Sequence, residues 1–127
     1  MKLYLVTRSD LPEGARAAQL AHGAVQFQYE HPDTAKDWFV SSNNLVLLEV
    51  ADEGAIRALA RRADRAGVPR SIVIEPDFGN TVTAVAIGPG GARLLSSLPL
   101  ALKSKAPVTG GLVPAPKSAG VGVPTRE

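Results

Sequence analysis

The pattern of apolar and polar positions divides the first hundred residues into alternating strands and helices. Four short apolar runs predict strands at residues 2–7, 45–50, 71–74 and 81–87. The first run is apolar without alternation from Leu3 to Val6, which is typical of a strand buried on both faces. Segments with helical spacing predict helices at residues 12–30, 33–41, 53–66 and 92–97.

The predicted order β-α-α-β-α-β-β-α favours an α/β fold, a three-layer α/β/α domain with a four-stranded mixed β-sheet. Ser9 or Asp10 is expected to cap the first helix, and Pro12 suits its first turn. Gly67 ends the third helix. After Leu102 the chain becomes rich in Pro, Gly, Ser and Lys without a usable period. We therefore expect a domain over residues 1–102 and a flexible basic tail over residues 103–127.

The first predicted helix carries an unusual polar stripe. Gln19, His22, Gln26 and Tyr29 fall within an arc of roughly 80° when residues are placed 100° apart. The stripe contains neither Lys nor Glu, which solvent-facing stripes usually carry. Its upper end lies near the turn after the first strand, where ligands often bind in open α/β sheets. The stripe is either an ordinary solvent face or one side of a functional site.

Composition narrows the classes of function. The 127 residues include no Cys, which excludes disulfides, a thiolate nucleophile and Cys-based zinc sites. The two His residues lack metal-ligand spacing, so no metal is expected. No apolar run approaches the roughly 18 residues of a spanning helix, so we expect a soluble, cytoplasmic protein without a membrane partner. Residues 1–102 carry net charge −1 and residues 103–127 carry +3, so binding of nucleic acid would need a local basic patch.

Three further segments have both a structural and a functional interpretation. The glycine-rich stretch 88–91 could cradle a phosphate, but a structural strand-to-helix turn is favoured. A row of arginines on the third helix is either a solvated face, which we favour, or an RNA-phosphate patch; these are Arg57, Arg61, Arg62 and Arg65. The carboxylates of the 75–80 loop lie beside Thr81 and Thr83, an arrangement that could orient a water or be an ordinary turn.

Three blocks of sequence, at residues 5–25, 45–67 and 83–89, carry a family resemblance. The most specific is Ala17-Ala18-Gln19-Leu20-Ala21-His22-Gly23-Ala24-Val25. The chain resembles the second family of peptidyl-tRNA hydrolases, the archaeal and eukaryotic type. It is most similar to the divergent peptidyl-tRNA-hydrolase-domain-containing members, which have a short Glu-Pro-acidic loop before the last strand and a His-Pro-x-Thr-Ala segment, here residues 31–35.

The resemblance implies a compact α/β domain that cleaves the ester between a peptide and the terminal ribose of tRNA. It implies tRNA as partner and no metal or organic cofactor, and it leaves a homodimer open. Standard members carry a Lys where this chain has Ala15, and their loop before the last strand is longer. Asp77 is the best match to the family's Asp, although Glu75 competes, and Thr83 matches the family's Thr better than Thr81 does.

On this resemblance, His22 and Asp77 are expected to position or deprotonate a water, while Gln19 and Thr83 bind the carbonyl or the oxyanion. Arg8 and Arg16, with the basic tail, are expected to hold tRNA phosphates. The full set of expected substrate-binding residues is Arg8, Asp10, Arg16, Gln26 and Thr81. One alternative is a non-catalytic module that binds tRNA or protein on the same fold. Another is hydrolysis of a different small acyl ester or amide.

Overall fold

A computed structural model describes residues 1–103 of the chain. Its elements follow the predicted order, and their bounds differ from the prediction by at most two residues. They are β1 (Lys2–Arg8), α1 (Glu13–Glu30), α2 (Pro32–Ser41), β2 (Asn44–Val50), α3 (Glu53–Ala66), β3 (Arg70–Glu75), β4 (Thr81–Ile87) and α4 (Ala92–Leu95). A single 3₁₀ turn at Pro76–Phe78 joins β3 to β4. Apart from Lys103, the predicted tail lies outside the described residues.

The four strands form one mixed sheet in the order β2-β1-β4-β3. β1 runs parallel to β2 and antiparallel to β4, and β3 is antiparallel to β4. α1 and α2 cover one face of the sheet, and α3 covers the other. The predicted three-layer α/β/α architecture with a four-stranded mixed sheet is confirmed.

Each face of the sheet has its own apolar core, since successive residues of a strand point to opposite faces. On the α3 side the largest fully buried side chains include Ile56, Leu59 and Ile87. On the α1 side Phe27 and Trp38 pack against Leu3 and Leu5. These two cores hold α1 and α3 against the sheet and fix the positions of their polar residues.

The ends of two helices show where local signals succeed and where one fails. At the start of α3 the Asp52 carboxylate accepts a hydrogen bond from the Ala55 N–H, and Gly67 ends the helix with φ +71°. The predicted cap of α1 is wrong, because Pro12 occupies the N-cap position and no side chain caps the helix. Asp10 instead accepts two bonds from the Arg8 guanidinium, a charge-assisted pair that is stronger than a single neutral cap.

The two edges of the sheet are covered differently. Residues 99–102 lie along β2, where the Glu49 N–H donates to Pro99 O at 3.1 Å and the Ala101 N–H donates to Leu47 O at 2.9 Å. Along β3, the Ile72 carbonyl accepts from Gln26 Nε2 at 2.7 Å. Unpaired strand edges invite association with other chains, and these contacts block part of each edge.

The glycine-rich turn after β4 is explained by packing. A Cβ added to Gly88 would lie 2.9 Å from Phe27 Cζ and 3.1 Å from Pro69 Cγ. A Cβ at Gly91 would collide with Ile87 Cγ2. The glycines allow a close approach of the chain, which supports the structural interpretation of this turn. Among the described residues, no helix combines the length and the apolar character needed to cross a membrane.

Candidate functional site

A bulge in β4 determines which way Thr83 points. Val73 pairs with Ala84, and the next residue of β3, Ile74, pairs with Val82, so that Thr83 is the extra residue of β4. Val82 and Val85 both pack on the α3 side. Strict alternation would place Thr83 on that same side with Val85. The bulge turns its hydroxyl toward α1 instead.

Thr83 begins a series of polar contacts that leads from the core to the surface. Its Oγ1 donates to Gln19 Oε1 at 2.6 Å, and Gln19 Nε2 donates to Glu75 Oε1 at 3.2 Å. His22 Nε2 lies 4.0 Å from the same Glu75 oxygen. We call these four residues the polar array. The predicted residues Gln19, His22 and Thr83 are therefore brought together, and Glu75 joins them.

Burial falls steadily along the polar array. Thr83 is fully buried and Gln19 is 4% exposed. The side chains of Glu75 and His22 are 18% and 59% exposed. The buried pair is anchored from below, since Thr7 Oγ1 donates to the Thr83 carbonyl at 2.8 Å. Two fixed residues thus hold the Glu75 carboxylate beside the His22 imidazole, where solvent and a substrate can reach both side chains.

An open groove of about 430 Å³ begins at His22 and Glu75 and runs between α1 and β3. Its other lining residues are mostly apolar and include Val25, Ile74 and Tyr29, whose side chain is 86% exposed. We call it the α1–β3 groove. The polar stripe predicted on α1 therefore divides, because Gln19 is buried while His22 and Tyr29 stay open.

The carboxylate that reaches Gln19 is Glu75. Asp77 is exposed in the turn beyond β3, and its backbone N–H donates to Glu75 Oε2 at 3.3 Å. Matching by sequence preferred Asp77. The available signal was position, since Glu75 directly follows the predicted strand 71–74 and proves to be the last residue of β3, whereas Asp77 lies further into the loop. The catalytic role assigned to either carboxylate stays a prediction.

Arg8 and its partners form a frame beside the polar array. The guanidinium binds both carboxylate oxygens of Asp10 at 3.0 Å and donates to Thr81 Oγ1 at 2.9 Å. The side-chain hydrogen bond between Arg8 and Asp10 raises the pKa of Arg8 and lowers the pKa of Asp10. Arg8, Asp10 and Thr81, which were all predicted to bind substrate, thus connect the end of β1 to the start of β4. A phosphate at Arg8 would compete with this pairing.

The two remaining predicted substrate-binding residues also make internal contacts. Arg16 Nη1 donates to Glu49 Oε2 at 2.7 Å, and its Nε donates to the Leu11 carbonyl at 2.9 Å. Gln26 binds the edge of β3 and also donates to Glu30 Oε2 at 3.0 Å. Their roles toward a substrate stay predictions, and their contacts in the structure are with the domain itself.

The two solvent-accessible members of the polar array, Glu75 and His22, are suited to binding and activating a water. A carboxylate and an imidazole about one water apart can orient a water and accept its proton. Within residues 1–103, no group of three or more His, Cys, Asp or Glu side chains could hold a metal ion.

Comparison with known proteins gives a consistent result. A family model described as peptidyl-tRNA hydrolase PTH2 matches residues 1–104. A peptidyl-tRNA hydrolase of Thermococcus sibiricus is 30% identical over 107 residues, covering 76% of this chain and 91% of the relative. One from Haloquadratum walsbyi is 32% identical over 99 residues, covering 70% and 86%.

One solved structure is similar in fold. It is a protein of unknown function from Agrobacterium tumefaciens, with a TM-score of 0.58 at 13% identity over 78% of this chain and 96% of that chain. At this identity the likeness concerns the fold alone.

Proposed function

The chain belongs to the peptidyl-tRNA hydrolase PTH2 family, and from this premise we propose that it cleaves its ester substrate at the polar array. It is a peptidyl-tRNA hydrolase, an enzyme that acts on the ester between a peptide and the terminal ribose of tRNA. The non-catalytic alternative is not favoured. Because the substrate belongs to translation, we expect the enzyme in the cytoplasm, and a homodimer stays a prediction.

One observation supports the proposed site most directly. The buried amide of Gln19 contacts the Glu75 carboxylate, and the His22 imidazole lies next to that carboxylate. Gln19 fixes Glu75, and His22 lies 4.0 Å from the same carboxylate oxygen. A water held by Glu75 gives its proton to His22 as its oxygen bonds to the ester carbonyl carbon. The bond to the ribose oxygen then breaks, and that oxygen takes the proton from His22.

Gln19 and Thr83 have different parts in this scheme. The Thr83 hydroxyl donates to Gln19 and lies out of reach of solvent, which makes Thr83 a positioning residue. The Gln19 amide has two N–H donors, and Glu75 uses one of them. We assign the second N–H to the ester carbonyl oxygen, which becomes negatively charged during attack.

The test is release of peptide from N-acetyl-aminoacyl-tRNA by the wild type and three variants. His22→Ala is expected to lower kcat by roughly 10²–10⁴-fold, the usual contribution of a general base. Glu75→Gln keeps the shape and removes the charge, and we expect a comparable loss. Asp77→Asn is the matched control, two residues away and exposed, and is expected to retain the wild-type rate.

The outcomes separate the residues. If Asp77→Asn is inactive and Glu75→Gln is active, Asp77 is the working carboxylate and the proposed site is wrong on this point. If His22→Ala turns over at the wild-type rate, the base lies elsewhere. Far-UV circular dichroism and urea unfolding of each variant show whether a loss reflects chemistry or misfolding.

A further inference from the structure

A second groove lies on the opposite face of β3. It has a volume of about 180 Å³ and lies between α3 and the strand. Three arginines line it, Arg57, Arg61 and Arg70. We call it the α3–β3 groove. Ile74, 57% exposed on the edge strand, lines both this groove and the α1–β3 groove, so the two grooves meet at one residue.

Glu53 connects the α3–β3 groove to the strand that carries Thr83 of the polar array. The Glu53 carboxylate accepts the Val82 N–H at 3.0 Å and Arg57 Nε at 2.9 Å. Val82 precedes Thr83 in β4, so Arg57 is tied to the strand position next to the array. Arg61 follows Arg57 by one helical turn and is exposed.

Positive charge is concentrated on this side of the molecule. Residues 52–70 contain five arginines and three carboxylates, for a net charge of +2. The rest of residues 1–103 contains six cationic and eight acidic side chains, for a net charge of −2. Arg70 is paired with Asp64 at 2.9 Å, and Arg57 binds Glu53 through its Nε at 2.9 Å. Within residues 1–103 the Arg57 Nη groups and the Arg61 guanidinium have no hydrogen-bond partner, and both side chains line the groove.

The α1–β3 groove has the opposite character. Its ionisable lining side chains are His22, Tyr29 and Glu75, with no Lys or Arg among its lining residues. The arginines nearest the start of α1, Arg8 and Arg16, are paired with Asp10 and Glu49. A polyanion is therefore repelled by the α1–β3 groove and attracted to the α3–β3 groove.

We propose that the α3–β3 groove binds backbone phosphates of the tRNA through Arg57 and Arg61. This inference rests on the proposed function. The 3′ end of the tRNA then crosses β3 at Ile74, a single strand width, to bring the ester to His22 and Glu75. The peptide side of the ester extends into the apolar α1–β3 groove. The arginine face of α3 is thus a phosphate-binding surface and not merely a solvated one.

The test compares the double variant Arg57→Ala/Arg61→Ala with Arg65→Ala, which removes a charge from the same helix outside the groove. Binding of deacylated tRNA is measured from 50 to 200 mM salt. Each lost phosphate contact is expected to reduce the slope of log K against log salt by roughly 0.7–0.9. The double variant should therefore lose about 1.4–1.8 of slope, so that its deficit in tRNA affinity relative to the wild type shrinks about tenfold between 50 and 200 mM salt.

A second measurement uses two substrates. N-acetyl-aminoacyl-tRNA carries the phosphates, and the corresponding N-acetyl-aminoacyl-adenosine ester carries none. We expect the double variant to raise KM about tenfold for the first substrate relative to the second, while Arg65→Ala leaves this ratio near that of the wild type.

The inference is overturned if the double variant binds tRNA with the wild-type salt slope, or if Arg65→Ala loses as much slope as the double variant. Failure of the proposed function looks different, since the wild type would then cleave neither substrate. In that case the binding measurement still decides whether the α3–β3 groove holds phosphates.

Discussion

The hydroxyl group of Thr83 links the buried core to the proposed catalytic residues. The Oγ1 atom is fully buried and bonded to Gln19, and Gln19 in turn fixes Glu75. A buried amide that loses its partner is expensive to leave unpaired, because water cannot replace the missing bond. The position of a half-buried carboxylate at the surface thus depends on a residue that solvent does not reach.

Thr83→Val is the residue-scale test, since valine has nearly the same shape without the hydroxyl. We expect the free energy of unfolding to fall by roughly 1–3 kcal/mol, the penalty for an unpaired buried acceptor. We also expect kcat to fall while KM changes little, because Gln19 no longer fixes Glu75. Urea unfolding and peptide release measure the two effects.

Thr83→Ser is the control, because it restores the hydroxyl and is expected to recover most of the lost kcat. If Thr83→Val matches the wild type in both assays, the buried end of the polar array has no part in positioning Glu75.

At the scale of elements, the Glu53 carboxylate links the start of α3 to the start of β4. It accepts the backbone N–H of Val82 and the side chain of Arg57. The pKa of Glu53 is lowered, first by the Val82 backbone hydrogen bond and then by the Arg57 hydrogen bond. The ionised form therefore favours the folded state, and protonation removes that preference.

The pH dependence follows from this direction. A carboxyl whose pKa is lower in the folded state contributes stability above its unfolded pKa, roughly 4.3 for Glu. That contribution is lost as the pH falls through the folded-state pKa. We expect Glu53→Gln to lower the free energy of unfolding at pH 7 and to make it depend less on pH between 7 and 3. Urea unfolding across this range measures both.

Asp37→Asn, on an exposed position of α2, is the control for loss of one acidic group. If Glu53→Gln shows the same pH dependence as the wild type, the link between α3 and β4 does not depend on the charge of Glu53.

At the scale of the whole molecule, the last described residues complete the sheet. Residues 99–102 cover the outer edge of β2 with two backbone hydrogen bonds. The Leu102 N–H also donates to Glu49 Oε2 at 2.8 Å, the oxygen that binds Arg16. One carboxylate thus joins α1, β2 and the end of the domain.

Two truncations test where the folded unit ends. A chain of residues 1–103 is expected to unfold at the urea concentration of the full chain. A chain of residues 1–98 lacks the three hydrogen bonds along β2 and is expected to lose roughly 2–4 kcal/mol. If the shorter chain is as stable as the longer one, the segment after α4 does not stabilise the sheet.

The helices and strands could be predicted from the sequence because the patterns that indicate them are local. The continuous apolar run of β1 and the ending of α3 at Gly67 depend on residues a few positions apart. The helical period likewise grouped Gln19 and His22 on one side of α1. Asp10 was misassigned as a cap because its carboxylate has a choice of local partners, and the charged Arg8 forms the stronger bonds.

The sequence by itself determined the order of elements, the layers, the family resemblance and three members of the polar array. The tertiary structure decided that a bulge turns Thr83 toward α1, that Glu75 and not Asp77 meets Gln19, and that Arg8 and Arg16 are bound within the domain. It also placed the arginines of α3 across β3 from the array. Each of these depends on contacts between residues far apart in the chain, which neither periodicity nor spacing encodes.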